Sequence, residues 1–166
     1  MSSHDEKLLD DIGWRLLEEL QEDARLSYTE LGRRVGLSTP AVMERVRKME
    51  DAGIIMGYRA EVNTEKIGFR VTAFIRIGLE HDIAPRLKSL FKDIPEINEC
   101  HLVTGDDSLI LKVHVTSIAH LETVIQRIMP YGMPATSIVL STPVARRRLE
   151  RKMVTQAAKK TRESQS

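Results

Sequence analysis

The spacing of the apolar residues changes at Gly53, and this change narrows the folds that the chain can adopt. Before Gly53, apolar residues recur every three or four positions, which is the period of an amphipathic helix. After it, several short runs alternate between apolar and polar residues, which is the period of a strand. The sequence therefore predicts a helical unit followed by a unit of strands and helices, in an α+β protein.

Two helices are predicted in the first part of the helical unit. Residues 9–20 place leucines and an isoleucine on one face and carboxylates on the other. Ser27 and Glu30 have the spacing of a capping box, in which each side chain bonds to the other residue's backbone amide. A second helix is therefore expected to begin at Ser27 and to end at Gly36, where glycine favours a sharp left-handed turn.

A third helix is expected to follow this turn directly. Ser38 or Thr39 is its N-cap, Pro40 lies in its first turn, and Gly53 ends it. Three helices with a tight glycine turn between the last two are typical of a helix-turn-helix unit.

The two sides of this third helix differ in character. Val42, Val46 and Met49 lie on one side and are expected to pack against the other helices. The opposite side exposes small and charged residues, namely Pro40, Ala41, Glu44, Arg47 and Lys48, with Arg45 on its flank. Small residues at the N-terminal end, from Ser38 and Thr39 onward, would allow close approach to the major groove of DNA. The alternative is an ordinary solvated helix surface.

The side chains on this surface suggest two roles in DNA binding. Arg47 can bond guanine bidentately and Glu44 can accept from cytosine, so both are candidate base-contacting residues. Lys48, Arg45 and Arg34 are expected to hold phosphates, which position a protein without selecting a sequence.

Charges are segregated along the chain although the whole sequence carries a net charge of only +1. Residues 25–50 hold six basic and three acidic side chains, and residues 144–166 hold eight basic and two acidic ones. Both stretches fit either a polyanion or a solvated surface. For "ARRRLERK" the alternatives are a DNA-phosphate arm and a charged helix end. We favour a solvated, partly disordered tail over 146–166 with some nonspecific DNA affinity.

The second unit has the element order of a ferredoxin-like domain. Alternating runs predict strands at 71–79, 99–105, 109–115 and 136–142, and helical spacing predicts helices at 84–94 and 118–129. The resulting β-α-β-β-α-β order is typical of helices layered on one face of an antiparallel sheet. Apolar side chains on the other face would need a partner, so self-association is expected.

Catalysis and metal binding find little support in the sequence. Cys100, His101 and His114 lie on neighbouring predicted strands, but alternation sends Cys100 and His101 to opposite faces. No HExxH, paired-cysteine or glycine-rich phosphate motif occurs. We therefore expect no catalytic residue, metal site or cofactor, and reject a small enzyme. An RNA-binding protein is disfavoured because only 4% of residues are aromatic.

The sequence carries no signal for a membrane. No run approaches the roughly 18 apolar residues that a membrane span needs. The acidic start lacks the charged and apolar regions of a signal peptide, and a lone cysteine suits a reducing compartment. We expect a cytoplasmic protein.

Two long stretches, "LSTPAVMERVRKMEDAGIIMGY" and "ECHLVTGDDSLILKVHV", resemble the Lrp/AsnC (feast/famine) transcriptional regulators. The resemblance covers roughly residues 5–145, in order and without a large insertion. It implies a winged helix-turn-helix at 1–53, a hinge strand or linker at 54–69 and a ferredoxin-like effector-binding and oligomerisation domain at 70–145. Proteins similar to this one form dimers that commonly assemble into octamers or similar discs, and many bind an amino acid between dimers.

The resemblance also implies an effector loop, and here the sequence departs from the family pattern. The usual loop is Gly-Asp followed by an aromatic residue and an acid, whereas this chain has Gly105, Asp106, Asp107 and Ser108. The added carboxylate could bond an effector ammonium, although two acids also suit an ordinary hairpin loop. Thr136 and Ser137 are the further polar neighbours that the resemblance implies.

Together these features predict a double-stranded DNA-binding transcriptional regulator that responds to an amino acid or another small effector. Effector binding would favour one assembly geometry and so change how several helix-turn-helix units engage DNA at once. The alternative is a general DNA-bending architectural protein with no effector.

Overall fold

The computed structural model describes residues 3–78, 91–105 and 108–156. The chain divides into two compact units. The first joins the chain up to Ala60 with the segment from Val144 onward, and the second spans Glu61–Pro143. The division after Ala60 lies inside the predicted hinge, residues 54–69. The division after Pro143 lies two residues before the predicted boundary at 145.

The first unit is built from helices. Up to Ala60 the described chain forms α1 (Ser3–Leu8), α2 (Asp11–Glu22), α3 (Tyr28–Val35) and α4 (Thr39–Asp51). Its core is one cluster of fully or almost fully buried side chains: Leu16, Leu31, Val35, Val42 and Val46. Met49 is also fully buried, so the predicted inner side of α4 is confirmed.

Side chains cap these helices at the positions that the sequence indicates. The Ser27 hydroxyl accepts from the Glu30 amide at 3.2 Å. Ser38, rather than Thr39, caps α4 by accepting from the Ala41 amide at 3.4 Å. The Glu30 carboxylate does not complete the expected capping box, because its oxygens bond to nearby arginines on the same helix.

A close backbone contact forms the turn between α3 and α4. The amides of Gly36 and Leu37 both donate to the Gly32 carbonyl, at 2.8 and 2.9 Å. Gly36 has a φ of 78°, the left-handed conformation predicted for it. A Cβ at Gly32 would lie 2.5 Å from the Leu37 carbonyl oxygen, so only glycine fits there. The predicted helix-turn-helix is confirmed.

Residues 54–70, which include the predicted hinge, form no strand and no wing in the described chain. The structure assigns no strand in this stretch, which follows Gly53 (φ 69°) as an extended segment with a turn at 64–68. A wing needs two strands joined by a hairpin turn, and this stretch has no second alternating run to supply the partner strand. The hinge predicted at 54–69 is therefore an extended linker rather than a strand in the described chain.

The second unit contains a four-stranded antiparallel sheet. Its elements are β1 (Val71–Ile77), β2 (Ile97–Leu102), β3 (Leu109–Val115), α5 (Ile118–Ile128), a 3-10 turn (Met129–Tyr131) and β4 (Pro134–Ile138). The strand order is β2-β3-β1-β4, the ferredoxin-like arrangement. The helix predicted at 84–94 falls mostly on residues 79–90, outside the described residues.

The two faces of this sheet differ. Alternate residues of β1 and β3, such as Ile75 and Leu111, are fully buried with Val124 and Ile128 of α5. On the opposite face of the two central strands, Phe74 is 39% exposed among mostly polar side chains. The polar side chains of this face, including those of the edge strand β2, are bonded to one another. Thr72 bonds to His114 at 2.9 Å, and Glu99 bonds to Lys112 at 2.9 Å and to His101 at 3.2 Å. The open face is therefore less apolar than expected.

Candidate functional site

The outer side of α4 forms an exposed surface of charged and apolar residues. Pro40, Glu44, Arg47 and Lys48 are exposed, as the helical spacing predicts, whereas Ala41 is half-buried. Part of this surface is an open cleft lined by Tyr28, Pro40, Met43, Glu44, Arg47 and Glu50. Because Ser38 caps the helix here and Pro40 and Ala41 are small, the N-terminal end of α4 is sterically open.

Glu44 lies at the centre of the charges on this surface. Its carboxylate accepts from Lys48 at 3.1 Å and from Arg47 at 3.4 Å. The Lys48 hydrogen bond, followed by the charges of Lys48 and Arg47, lowers the pKa of Glu44. The side chain of Arg47 remains 67% exposed, so its guanidinium is accessible to a ligand while it is paired.

Two of the predicted phosphate contacts are engaged within the unit. Arg45 donates to both carboxylate oxygens of Asp10, at 2.8 and 2.5 Å. Arg34 donates to Glu19 at 2.6 Å and to Glu30 at 2.9 Å. Both guanidiniums therefore hold helices together, unlike Lys48, whose partner lies on its own helix.

Three residues near this cleft were missed by sequence reasoning. Met43 is 50% exposed on the outer side of α4, because the 100° rotation per residue places it on the same side as Pro40, three residues earlier, and Arg47, four residues later. Tyr28 lines the cleft from the start of α3. The Tyr58 hydroxyl donates to Glu50 at 2.9 Å, and partial burial together with this carboxylate raises the pKa of Tyr58. Helical spacing could have identified Met43, whereas Tyr28 and Tyr58 carry no periodic signal.

The loop between β2 and β3 is anchored at its base. The Ser108 amide donates to the Ile77 carbonyl, and the Val103 amide donates to the Ser108 carbonyl, both at 3.0 Å. Gly105 has a φ of 115°, and no atom of the described residues lies within 4 Å of where its Cβ would be. Gly105 is exposed and Ser108 is half-buried. Asp106 and Asp107 lie outside the described residues.

The strand register brings this loop and β4 to the same end of the sheet. Ile77 of β1 is opposite Leu109 on one side and Pro134 on the other. Thr136 is opposite Ile75 and Ser137 opposite Phe74, so their side chains point to opposite faces. Only one of the two can face a ligand bound on a given side of the sheet.

Cys100 and His101 lie on opposite faces, as alternation predicts, because they pair with Leu111 and Ile110 respectively. Cys100 is exposed, and desolvation of its thiol by neighbouring atoms raises the pKa of that thiol. Within the described ranges, no three His, Cys, Asp or Glu side chains are grouped closely enough to hold a metal ion.

None of the described helices is long and apolar enough to span a membrane.

Comparison with known proteins agrees with this geometry in both units. Residues 9–50 match the model of the AsnC-type helix-turn-helix domain, and residues 72–149 match that of the Lrp/AsnC ligand binding domain. The transcriptional regulator LrpC of Bacillus subtilis is 36% identical over 133 residues, which is 80% of this chain and 92% of LrpC. The regulator LrpA of Mycobacterium tuberculosis is 38% identical over 140 residues, 81% of this chain and 91% of LrpA.

A solved structure has the same fold. A feast or famine regulatory protein of M. tuberculosis, complexed with L-methionine, matches with a TM-score of 0.79 and 35% identity over 86% of this chain and 99% of its own. The relatives named are transcriptional regulators, which confirms the prediction of a regulator rather than an enzyme. On these matches and the helix-turn-helix described above, the chain belongs to the Lrp/AsnC family of transcriptional regulators.

Proposed function

We propose that this regulator binds specific double-stranded DNA by inserting α4 into the major groove. The observation that carries this proposal is the exposed side of α4, where Glu44, Arg47 and Lys48 follow a sterically open N-terminal end. A recognition helix contacts bases with the residues of its N-terminal part, and small residues there permit a close approach.

The contacts divide into two kinds. Arg47 bonds guanine bidentately and Glu44 accepts from cytosine, so these two select the sequence. Lys48 bonds a phosphate, and Ser38, Thr39, Pro40 and Ala41 allow the helix end to lie close to the DNA. Arg34 and Arg45 also contribute positive charge. A phosphate would have to compete for either guanidinium with the carboxylates to which it already donates.

A competition gel shift at near-physiological salt tests this proposal. The probe is DNA from upstream of the protein's own coding frame, because autoregulation is common among similar proteins, and the competitor is random DNA of equal length. Preferential binding would support a sequence-selective regulator. Equal, salt-sensitive binding to both fragments, repeated with fragments enriched by unbiased selection, would contradict it and favour a general DNA-bending protein.

We also propose that an amino acid regulates the protein, bound at the end of the sheet that carries the loop Gly105, Asp106, Asp107 and Ser108. The match to a ligand binding domain and the L-methionine complex of a relative support an amino acid. Thr136 and Ser137 are the neighbouring polar residues, and among the described residues no atom lies within 4 Å of where a Cβ at Gly105 would be. Isothermal calorimetry with the twenty amino acids tests this, and no heat with any of them would contradict it.

The proposed mechanism is a shift between assemblies of a cytoplasmic homo-oligomer. Dimers assemble into an octamer or a similar disc, and an effector bound between dimers favours one arrangement of the DNA-binding units. Light scattering during size-exclusion chromatography, with and without the amino acid found by calorimetry, measures the assembly. A monomer under both conditions would contradict this mechanism.

A further inference from the structure

The segment 144–156, here called the strap, returns to the helix-turn-helix unit and docks on α2. Both polar atoms of the Gln21 side-chain amide bond to the main chain of Leu149: Nε2 donates to the carbonyl at 3.1 Å and Oε1 accepts from the amide at 2.9 Å. The Arg151 guanidinium pairs with the carboxylate of Asp11, which lies at the opposite end of α2 from Gln21. Residues 151–156 of the strap are helical.

The charges of the strap complement those of α2. The outer side of α2 carries Asp11, Glu18 and Glu22, and the strap carries four arginines and a lysine. The pKa of Arg148 is raised, first by its bond to Glu150 and also by the charges of Glu18 and Glu22. The strap thus neutralises an acidic helix of the DNA-binding unit, and its basic charge is not simply a solvated tail.

Apolar burial contributes little to this docking. The apolar side chains of the strap remain largely outside any core, with Leu149 67%, Val154 55% and Met153 42% exposed. Exposed ion pairs and hydrogen bonds contribute little each and are weakened by salt. The docked state is therefore reversible, and its population depends on the few polar contacts with Gln21 and Asp11.

Docking gives the regulatory unit two covalent connections to the DNA-binding unit. The chain passes from the first unit to the second near residue 60 and returns at residue 144. The model of the ligand binding domain ends at residue 149, and the solved relative covers 99% of its own chain but 86% of this one. The match to the ligand binding domain thus continues into this returning segment.

We propose that the strap is a reversible second tether that restrains the DNA-binding unit relative to the regulatory unit of its own chain. A single linker leaves a unit free to reorient, whereas two linkers attached at different points limit its rotation. In an oligomer, this restraint fixes the separation at which two helix-turn-helix units meet DNA. The docking stands on its own contacts, and its effect on DNA rests on the DNA binding proposed above.

Hydrogen exchange of the free protein tests the docking without DNA. Gln21→Ala removes both bonds to Leu149, leaves every charge in place and introduces a good helix former. We expect exchange of the Leu149 amide to rise by about tenfold or more, as for a segment that opens locally. Asp11→Arg is expected to raise it as well, and the charge-swapped pair Asp11→Arg/Arg151→Asp to restore protection. An unprotected Leu149 amide in the wild-type protein would overturn the docking.

DNA fragments with variable spacing test the restraint. Two copies of the preferred site are placed about 10, 15 and 20 base pairs apart, so that they face the same or opposite sides of the duplex. We expect the wild-type protein to bind the three fragments unequally and Gln21→Ala to bind them more equally, with single-site affinity unchanged. The same spacing profile in both proteins would overturn the tether. Failure to bind any single site would instead contradict the proposed function and leave the exchange result to decide the docking.

Discussion

The guanidinium of Arg45 holds both carboxylate oxygens of Asp10, and the same carboxylate caps α2 by accepting from the Gly13 amide at 2.8 Å. Arg45 lies on the flank of α4, so this one side chain of Asp10 joins the start of one helix to the middle of another. The orientation of α4 therefore depends on a polar contact as well as on the apolar core.

Removing this contact should destabilise the helix-turn-helix unit. Asp10→Ala loses the cap and the ion pair and is expected to cost about 1–2 kcal/mol, whereas Arg45→Ala loses only the pair and costs less than about 1 kcal/mol. Urea unfolding of both single variants and the double variant measures the coupling. Strictly additive effects would show that the pair contributes nothing.

Arg47→Ala should weaken binding to the preferred DNA site by about 1–3 kcal/mol, because a bidentate bond to guanine would be lost. The matched control is Lys48→Ala, one residue further along α4. It should weaken specific and random DNA alike and reduce the salt dependence of binding. If the ratio of specific to random binding is the same in Arg47→Ala as in the wild type, Arg47 does not contact bases.

The Glu30 carboxylate should titrate far below its usual range. Hydrogen bonds from Arg33 and Arg34 lower its pKa from 4.5 to about 2. A depressed carboxyl pKa contributes stability above the unfolded value, and this contribution is lost as the pH falls from 4.5 through about 2. Carboxyl NMR titration checks the value, and Arg33→Gln should move it back toward 4.5. A wild-type pKa near 4.5 would contradict the pairing.

Gly32→Ala should destabilise the first unit more than Gly36→Ala. The added methyl at Gly32 would lie 2.5 Å from the Leu37 carbonyl oxygen. A methyl at Gly36 would meet no described atom within 4 Å and would be disfavoured only by the left-handed backbone. We expect about 1–3 kcal/mol for the overpacked site and about 1 kcal/mol for the strained one. Thermal unfolding of the two variants gives the order, and equal melting temperatures would argue against the close contact.

Gly105→Val should abolish effector uptake and leave DNA binding intact. A φ of 115° disfavours a β-branched residue, so the loop must rearrange where the proposed ligand binds. Gly68→Val is the matched control, because Gly68 has a φ of 103° and equally open surroundings outside the proposed site. Calorimetry should detect uptake in the control only. Undiminished uptake by Gly105→Val would remove the loop from the effector site.

The features that could be predicted from the sequence depend on neighbours a few residues apart. The Ser27 and Ser38 caps, the Gly36 turn and the buried side of α4 each follow from local spacing, and the structure confirms them. Strand alternation similarly predicted the opposite orientations of Cys100 and His101. Such signals repeat with the helix or strand period and are therefore visible in one sequence.

The features that could not be predicted involve residues far apart or depend on a partner strand. Asp10 and Arg45 are 35 positions apart, and a polar surface pair has no period to identify it. β4 begins at Pro134 and ends at Ile138, rather than spanning 136–142, because its limits are set by pairing with β1. The ion pairs of Arg34 and Arg45 with carboxylates could not be predicted either, because spacing alone placed both arginines on the DNA-binding surface.

The strap also affects the order in which the protein is made. Gln21 and Leu149 are 128 positions apart, so α2 is synthesised long before the segment that docks on it. At about 5–20 residues per second, the interval is on the order of ten seconds. During that time the acidic side of α2 is uncovered, while the whole regulatory unit is synthesised. The strap can therefore dock only after the regulatory unit has been made, which leaves α2 without this partner for the first stage of the protein's life.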